Sequence, residues 1–141
     1  MNDQSPRTFN FTQRVRYGET DAMGIVWHGN YLLWFEVGRV EVLRALGYPY
    51  SRLEQEGFGL PVTEVGLRYA RAARFDDVLS IDVWLEEVKS RMLRIGYRVS
   101  NAGTGEACVS GFTEHVCWKG GQVTTLPPEL RQKLTTWTLR K

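Results

Sequence analysis

Asn30-Tyr-Leu-Leu-Trp-Phe-Glu-Val-Gly-Arg-Val-Glu-Val-Leu-Arg-Ala-Leu46 reads as one long helix, and what it packs against decides the fold. Gly47 stops it and Pro49 follows, the usual punctuation of a helix C-terminus. Its apolar residues, from Tyr31, Leu32, Leu33, Trp34 and Phe35 through Val37, Val40, Val42, Leu43 and Leu46, run round nearly the whole circumference. Such a helix is expected to be enclosed and not merely laid on a surface. Glu36, Arg39, Glu41 and Arg44 supply its few polar positions, at a spacing suited to i,i+3 ion pairs.

Outward from the helix the pattern changes to that of strands. Upstream, residues 8–17 alternate, with Phe9, Phe11, Val15 and Tyr17 on one face and Thr8, Asn10, Arg14 and Arg16 on the other, as in a half-buried strand. Residues 18–28 form a loop. Downstream, residues 51–56 suit a short helix capped by Ser51. Residues 60–72 are extended and end at the turn-like Arg74-Phe-Asp-Asp77. Leu79, Ile81, Val83 and Leu85 then alternate with polar neighbours, as do Leu93, Ile95, Tyr97 and Val99 beyond a turn at Lys89-Ser90. Asn101-Ala-Gly-Thr-Gly105 punctuates a hairpin, and residues 106–118 make the next strand. A turn at Lys119-Gly-Gly121 leads to a short strand at 122–125, and Pro127-Pro128 opens a last helix through Leu134. No βαβ alternation occurs, which excludes a parallel doubly wound sheet. The expected fold is α+β: a curved antiparallel sheet wrapped around one long central helix, in a single domain spanning 1–141 with a polar N-terminal arm, 1–7.

Composition bounds the function. With 141 residues, 43% hydrophobic and 24% charged, the chain is an ordinary globular domain, and a formal charge of +2 is too small to argue for nucleic acid or an anionic membrane surface. No segment approaches the roughly 18 consecutive apolar residues of a membrane span. The polar N-terminus does not read as a secretory signal. Cys108 and Cys117, on one strand at odd separation, would point to opposite faces, so reduced thiols and a cytoplasmic location are expected. His28 and His115 lack ligand spacing, no Gly-x-Ser-x-Gly elbow occurs, and the cysteines have no histidine motif. Neither a metal site nor a Ser or Cys triad is expected.

The chemistry concentrates between the first strand and the helix, in Tyr17-Gly-Glu-Thr-Asp-Ala-Met-Gly-Ile-Val-Trp-His-Gly-Asn-Tyr31. Asp21 lies in the loop and Gly24 just after it. A helix start offers unpaired N–H groups and the positive end of a dipole, which stabilise a developing negative oxygen. One acid facing such a terminus is the least apparatus that hydrolyses an activated ester. The plain alternative is that Asp21 is a turn residue or cap.

The same residues carry a resemblance. Arg16-Tyr-Gly-Glu-Thr-Asp21, Gly24-Ile-Val-Trp-His28 and Asn30-Tyr31 resemble the signature of hotdog-fold acyl-CoA thioesterases, of the 4-hydroxybenzoyl-CoA thioesterase and Tol–Pal-associated type. The likeness runs from about residue 9 to 134, with weaker support from Tyr69-Ala-Arg-Ala-Ala73 and Leu126-Pro-Pro-Glu-Leu130. It implies that Asp21 is the catalytic carboxylate, as nucleophile or general base. His28 would act chiefly through its backbone N–H, which with the helix start around Gly24 and Trp27 polarises the thioester carbonyl. Tyr17, Thr20, Trp27, Asn30, Arg68 and Arg71 become candidates for binding substrate. Arg74, Arg91 and Arg94 are further basic residues able to approach CoA phosphates, though scattered surface charge explains any single one. Thr20 and Asn30 serve equally well as caps, and Glu36 serves equally as a site residue or as the partner of Arg39. The resemblance further implies a homo-oligomer, a dimer or dimer of dimers, acting on acyl-CoA or acyl-carrier protein with no cofactor. Two other readings stay open: a hydroxyacyl-thioester dehydratase or hydratase of the same fold, and a non-catalytic acyl-CoA-binding module.

Overall fold

The computed structural model describes residues 7–139, so the polar arm lies, apart from Arg7, outside the described residues. Strand β1 (Thr8–Arg14) leads through a loop to helix α1 (Asn30–Ala45) and a short α2 (Tyr50–Gln55). After β2 (Phe58–Gly59) come the long strands β3 (Val62–Tyr69), β4 (Val78–Val88), β5 (Met92–Asn101) and β6 (Ala107–Val116). The chain closes with β7 (Trp118–Lys119), β8 (Gln122–Val123) and α3 (Pro128–Leu139). Five strands form one antiparallel sheet in the order β1-β4-β5-β6-β3, and β2, β7 and β8 make a small second sheet.

Alternation in the sequence becomes two faces. Ile81, Val83 and Leu85 of β4 pair with Val99, Tyr97 and Ile95 of β5, and these six are buried, as is Leu79 on the same face of β4. Phe35 of the helix stacks on Tyr97 with ring centroids 4.0 Å apart and planes 3° from parallel. Gly38 brings the helix close to the sheet: a Cβ there would lie 2.6 Å from a Val83 methyl.

Several expectations are corrected. The sheet covers only one side of α1: Tyr31, Trp34, Phe35 and Val42 are buried, while Leu33 is 56% and Val37 43% exposed. A five-stranded sheet wraps only part of a helix's circumference, so the remaining apolar strip faces outward. Tyr17 is not in the first strand. That strand ends at Arg14, and residues Tyr17–Glu19 form a 3-10 turn in which buried Glu19 accepts the Arg16 N–H at 2.7 Å. Ser51 is not a cap, because Pro49 holds that position with no side-chain hydrogen bond. The strand expected at 106–118 stops at Val116, which leaves Cys117 beyond it; both thiols are free and buried. The last helix runs past Leu134 to Leu139. Arg44 pairs with Glu41, but among the described residues Glu36 and Arg39 form no ion pair.

Candidate active site

Backbone hydrogen bonds build the site. The segment after the 3-10 turn folds back on itself, with Thr20 bridged to Val26 and the Asp21 N–H donating to the Ile25 carbonyl at 2.8 Å. Gly24 closes the turn at φ +79, a left-handed conformation that suits glycine, and its N–H donates to the Asp21 carbonyl at 2.9 Å. The returning strand is tied on both sides: Val26 N–H to Ala73 O at 2.8 Å, Trp27 N–H to Glu19 O at 3.0 Å. The helix start is therefore placed by the sheet and the 3-10 turn together.

Within this frame the Asp21 carboxylate accepts the Met23 N–H on Oδ1 at 2.9 Å. Its other oxygen has no hydrogen-bond partner among the described residues. At the helix start, Asn30 N–H donates to Trp27 O at 2.9 Å and Leu32 N–H to Gly29 O at 3.2 Å. The N–H groups of His28 and Gly29 have no acceptor among the described residues. Asp21 and His28 both line a cleft of about 240 Å³, together with Ile25, Tyr31, Tyr69 and Arg71 among others, and Gly29 adjoins it as the next residue after His28. The Tyr69 hydroxyl donates to the His28 carbonyl at 2.8 Å, and its ring lies edge-on to Tyr31 with centroids 5.8 Å apart. Burial pushes the Tyr31 phenol up to about 12 and raises that of Tyr69, so both remain protonated donors at neutral pH.

Of the residues singled out from the sequence, Asp21, His28 and Arg71 line this cleft, and Gly24 shapes the turn beneath it. Arg71 also pairs with Glu106 at 3.4 Å. The others lie elsewhere. Tyr17 is 77% exposed and rests edge-on against Phe75. The Thr20 hydroxyl donates to the Tyr17 carbonyl at 2.7 Å, closing the 3-10 turn. Trp27 is half exposed beside the His28 ring, with centroids 5.2 Å apart. Asn30 is buried, and its Nδ2 has no partner among the described residues. Arg68 is exposed on β3 opposite Ser110. Arg94 is committed to Glu86 at 2.8 Å and Glu114 at 2.7 Å above the Phe112 ring. Tyr31 and Tyr69 were not picked out as site residues. Tyr31 had a legible signal, since it stands in the first turn of the helix, three residues after His28. Tyr69 comes from a distant strand and had none beyond its place in the Tyr69–Ala73 segment.

An antiparallel sheet curved about one long helix is the architecture of the hotdog thioesterases. Residues 15–134 match the thioesterase-like superfamily, and the chain belongs to that family. A putative acyl-CoA thioesterase of Bacillus subtilis, YneP, is 36% identical over 73% of this chain and 74% of its own length. The acyl-CoA thioesterase YbgC of Haemophilus influenzae is 36% identical over 72% of this chain and 80% of its own. Among solved structures, a hypothetical protein from Thermus thermophilus, TT1821, superposes with a TM-score of 0.86 at 37% identity, covering 91% of this chain and 98% of that one.

Proposed function

We propose that this chain hydrolyses acyl-CoA thioesters to a free acid and CoA at the cleft between Asp21 and the start of α1. The observation that carries the reading is that one cleft is lined by both Asp21 and His28, whose second carboxylate oxygen and backbone N–H respectively have no partner among the described residues. Membership of the family and the similarity to named acyl-CoA thioesterases support it. The thioester carbonyl oxygen takes the N–H groups of His28 and Gly29. A preorganised donor of this kind is worth about 3–4 kcal/mol of barrier in other hydrolases. Asp21 then acts in one of two ways. Its free oxygen attacks the carbonyl carbon, the C–S bond breaks, CoA leaves as thiolate and takes a proton, and water cleaves the resulting anhydride. Alternatively it takes a proton from water as the water attacks. A dehydratase would need a histidine coupled to its acid, and no hydrogen bond joins the His28 ring to Asp21 among the described residues.

Arg71, at the rim of the cleft, is the basic residue best placed for CoA phosphate, with exposed Arg68 three residues earlier, near the end of β3. An acyl-carrier-protein thioester presents the same reacting group. The working form is a homo-oligomer, a dimer or dimer of dimers. Its supports are the exposed Leu33 and Val37 on α1 and the unpaired edge of β3, where Val62 and Val65 are 45% and 42% exposed. Buried, unbridged thiols at Cys108 and Cys117 suit a cytoplasmic setting.

The test is thiol release from a panel of acyl-CoAs by the wild type and by Asp21→Asn. The residue is only partly buried and its Oδ1 contact survives as an amide oxygen, so the variant is expected to fold. A loss of at least a hundredfold in kcat is expected. Near-normal turnover in a folded Asp21→Asn protein would reject the assignment; enoyl absorbance without thiol release would favour the dehydratase, and neither signal the binding module.

A further inference from the structure

A second cavity lies under the other half of α1 and shares no lining residue with the first. It holds about 150 Å³ and is walled by Val40, Leu43, Val83, Leu85, Leu93 and Ile95 among others, with Arg39, Glu36 and His115 as its polar edge. A cavity of that size, apolar throughout, accommodates a benzene ring in another protein. Here one wall is a cation. Among the described residues Arg39 has no carboxylate within ion-pair distance; its one polar contact is from Nη1 to the Tyr97 hydroxyl at 3.5 Å.

What stands behind that contact has a fixed direction. The Leu60 carbonyl, 2.9 Å from His115 Nδ1, can only accept, so Nδ1 carries the proton. Burial first, and the nearby charge of Arg39 as well, push His115 down to about 4, so the ring is neutral and Nε2 accepts. The Thr113 hydroxyl, 2.8 Å away, therefore donates to Nε2 and must accept from Tyr97, 2.7 Å away. The donor of Tyr97 is thus committed inward, and only its lone pairs remain to face Arg39. This series of hydrogen bonds satisfies His115, Thr113 and the Tyr97 donor without needing the guanidinium. Arg39 keeps most of its five N–H donors unclaimed at the mouth of an apolar space of one-ring size.

We propose that this cavity is a binding site for a small apolar carboxylate, one ring or about six carbons in size, with its body among the aliphatic side chains and its carboxylate on Arg39. The pairing is the one the guanidinium fork is built for. Exposed Glu36 at the rim opposes the ligand's charge, so Arg39 must outweigh it. The two linings share no residue, and along α1 the buried Phe35 falls between Tyr31, which lines the cleft, and Arg39, which lines this cavity, so the site is distinct from the cleft. Carboxylic acids are what the proposed hydrolysis releases; only that link to product rests on the thioesterase reading, and the binding does not.

The experiment is calorimetric titration of the full chain with benzoate and hexanoate, against benzyl alcohol and hexanol as neutral counterparts, with the His115 and Tyr97 side-chain signals followed by NMR. The carboxylates are expected to bind at least tenfold more tightly than the alcohols and to shift the His115 signal. Arg39→Gln is expected to remove that preference. Glu36→Gln, on an exposed position that leaves folding intact, is expected to tighten the carboxylates severalfold and leave the alcohols unchanged. Absence of carboxylate binding at millimolar concentration, or carboxylate affinity indifferent to Glu36→Gln, overturns the proposal. Loss of thiol release in Asp21→Asn together with retained benzoate binding would keep the two sites independent. Binding abolished by Asp21→Asn would place the ligand in the catalytic cleft and also overturn it.

Discussion

Lowering the pH from 7 toward 4 should destabilise the protein through His115, and the hydrogen bonds around the ring fix the sign. The ring is 2% exposed, with Nδ1 donating to Leu60 and Nε2 accepting from Thr113, an arrangement that admits no second ring proton. Its ordinary value of 6.5 falls to about 4, first from burial, opposed by the Leu60 carbonyl, with Arg39 pushing in the same direction as burial. Below pH 6.5 the unfolded chain takes up a proton that the folded chain refuses. The contribution is therefore fully present above pH 6.5, declines as pH falls toward 4, and levels off below that. The gap corresponds to about 3 kcal/mol, an appreciable part of the 5–15 kcal/mol typical of a domain. Carboxylates with lowered values, such as Glu56 held by Tyr48 and Arg52, and Glu129 held by Arg52, weaken folding in the same direction but from below their ordinary 4.5. Between pH 6.5 and 4.5 the His115 effect stands apart.

Urea denaturation at fixed protein concentration, in half-unit pH steps, reads this directly, with His115→Gln as the reference. The variant is expected to be less stable at pH 7, because Thr113 and Leu60 lose well-aligned partners, yet nearly flat from 6.5 to 4.5. The wild type should converge on it as pH falls. Parallel profiles for the two proteins across that window would refute the reasoning, as would a His115 NMR titration centred near 6.5.

Two further outcomes are expected. Tyr69→Phe keeps the ring against Tyr31 but deletes the 2.8 Å hydrogen bond that holds the His28 peptide, worth about 1 kcal/mol; kcat should fall about fivefold with KM within twofold, and a change confined to KM would deny Tyr69 its positioning role. Val37→Glu places a charge on the exposed apolar strip of α1 and should shift the oligomer toward monomer by light scattering on a sizing column; an unchanged mass would show that the interface lies elsewhere.

The helix and the long strands were legible because local rules decide them. Gly47 at φ +83 stops α1 within a residue of the position its sequence suggests, and strict alternation in β4 and β5 survives as two faces of one sheet. The enclosure of α1 was not legible from one chain. The same apolar circumference results whether the far side meets more of this sheet or another surface, and here Leu33 and Val37 meet neither. Tyr17 continued the alternation but sits in a 3-10 turn, because buried Glu19 claims the Arg16 N–H; periodicity carries no information about that competition. At the site, the acid and the helix start could be read because they are close in sequence. Tyr69, 41 residues from His28 along the chain, reaches it only through the register of β3 on β6. Arg39 read as a surface or ion-pairing position, since nothing local reveals that Tyr97, Thr113 and His115 line up opposite it.

The two halves of the proposed catalytic apparatus are held differently, and this bears on how it works. The N–H groups of His28 and Gly29 belong to a segment fixed at Glu19, at Ala73 and by the Tyr69 hydroxyl, three anchors from separate parts of the chain. Moving them means breaking several hydrogen bonds, one of them to a segment that leaves the central sheet. The Asp21 carboxylate, by contrast, projects from a turn whose tip, Ala22 and Met23, is exposed, and a single bond to the Met23 N–H restrains it. A donor that must meet a developing charge without reorganising gains from the first kind of support. A carboxylate that must approach either a carbonyl carbon or a water gains from the second. Backbone rigidity on the oxyanion side and side-chain freedom on the acid side explain why the ring of residue 28 can turn toward Trp27 without costing the site its donor.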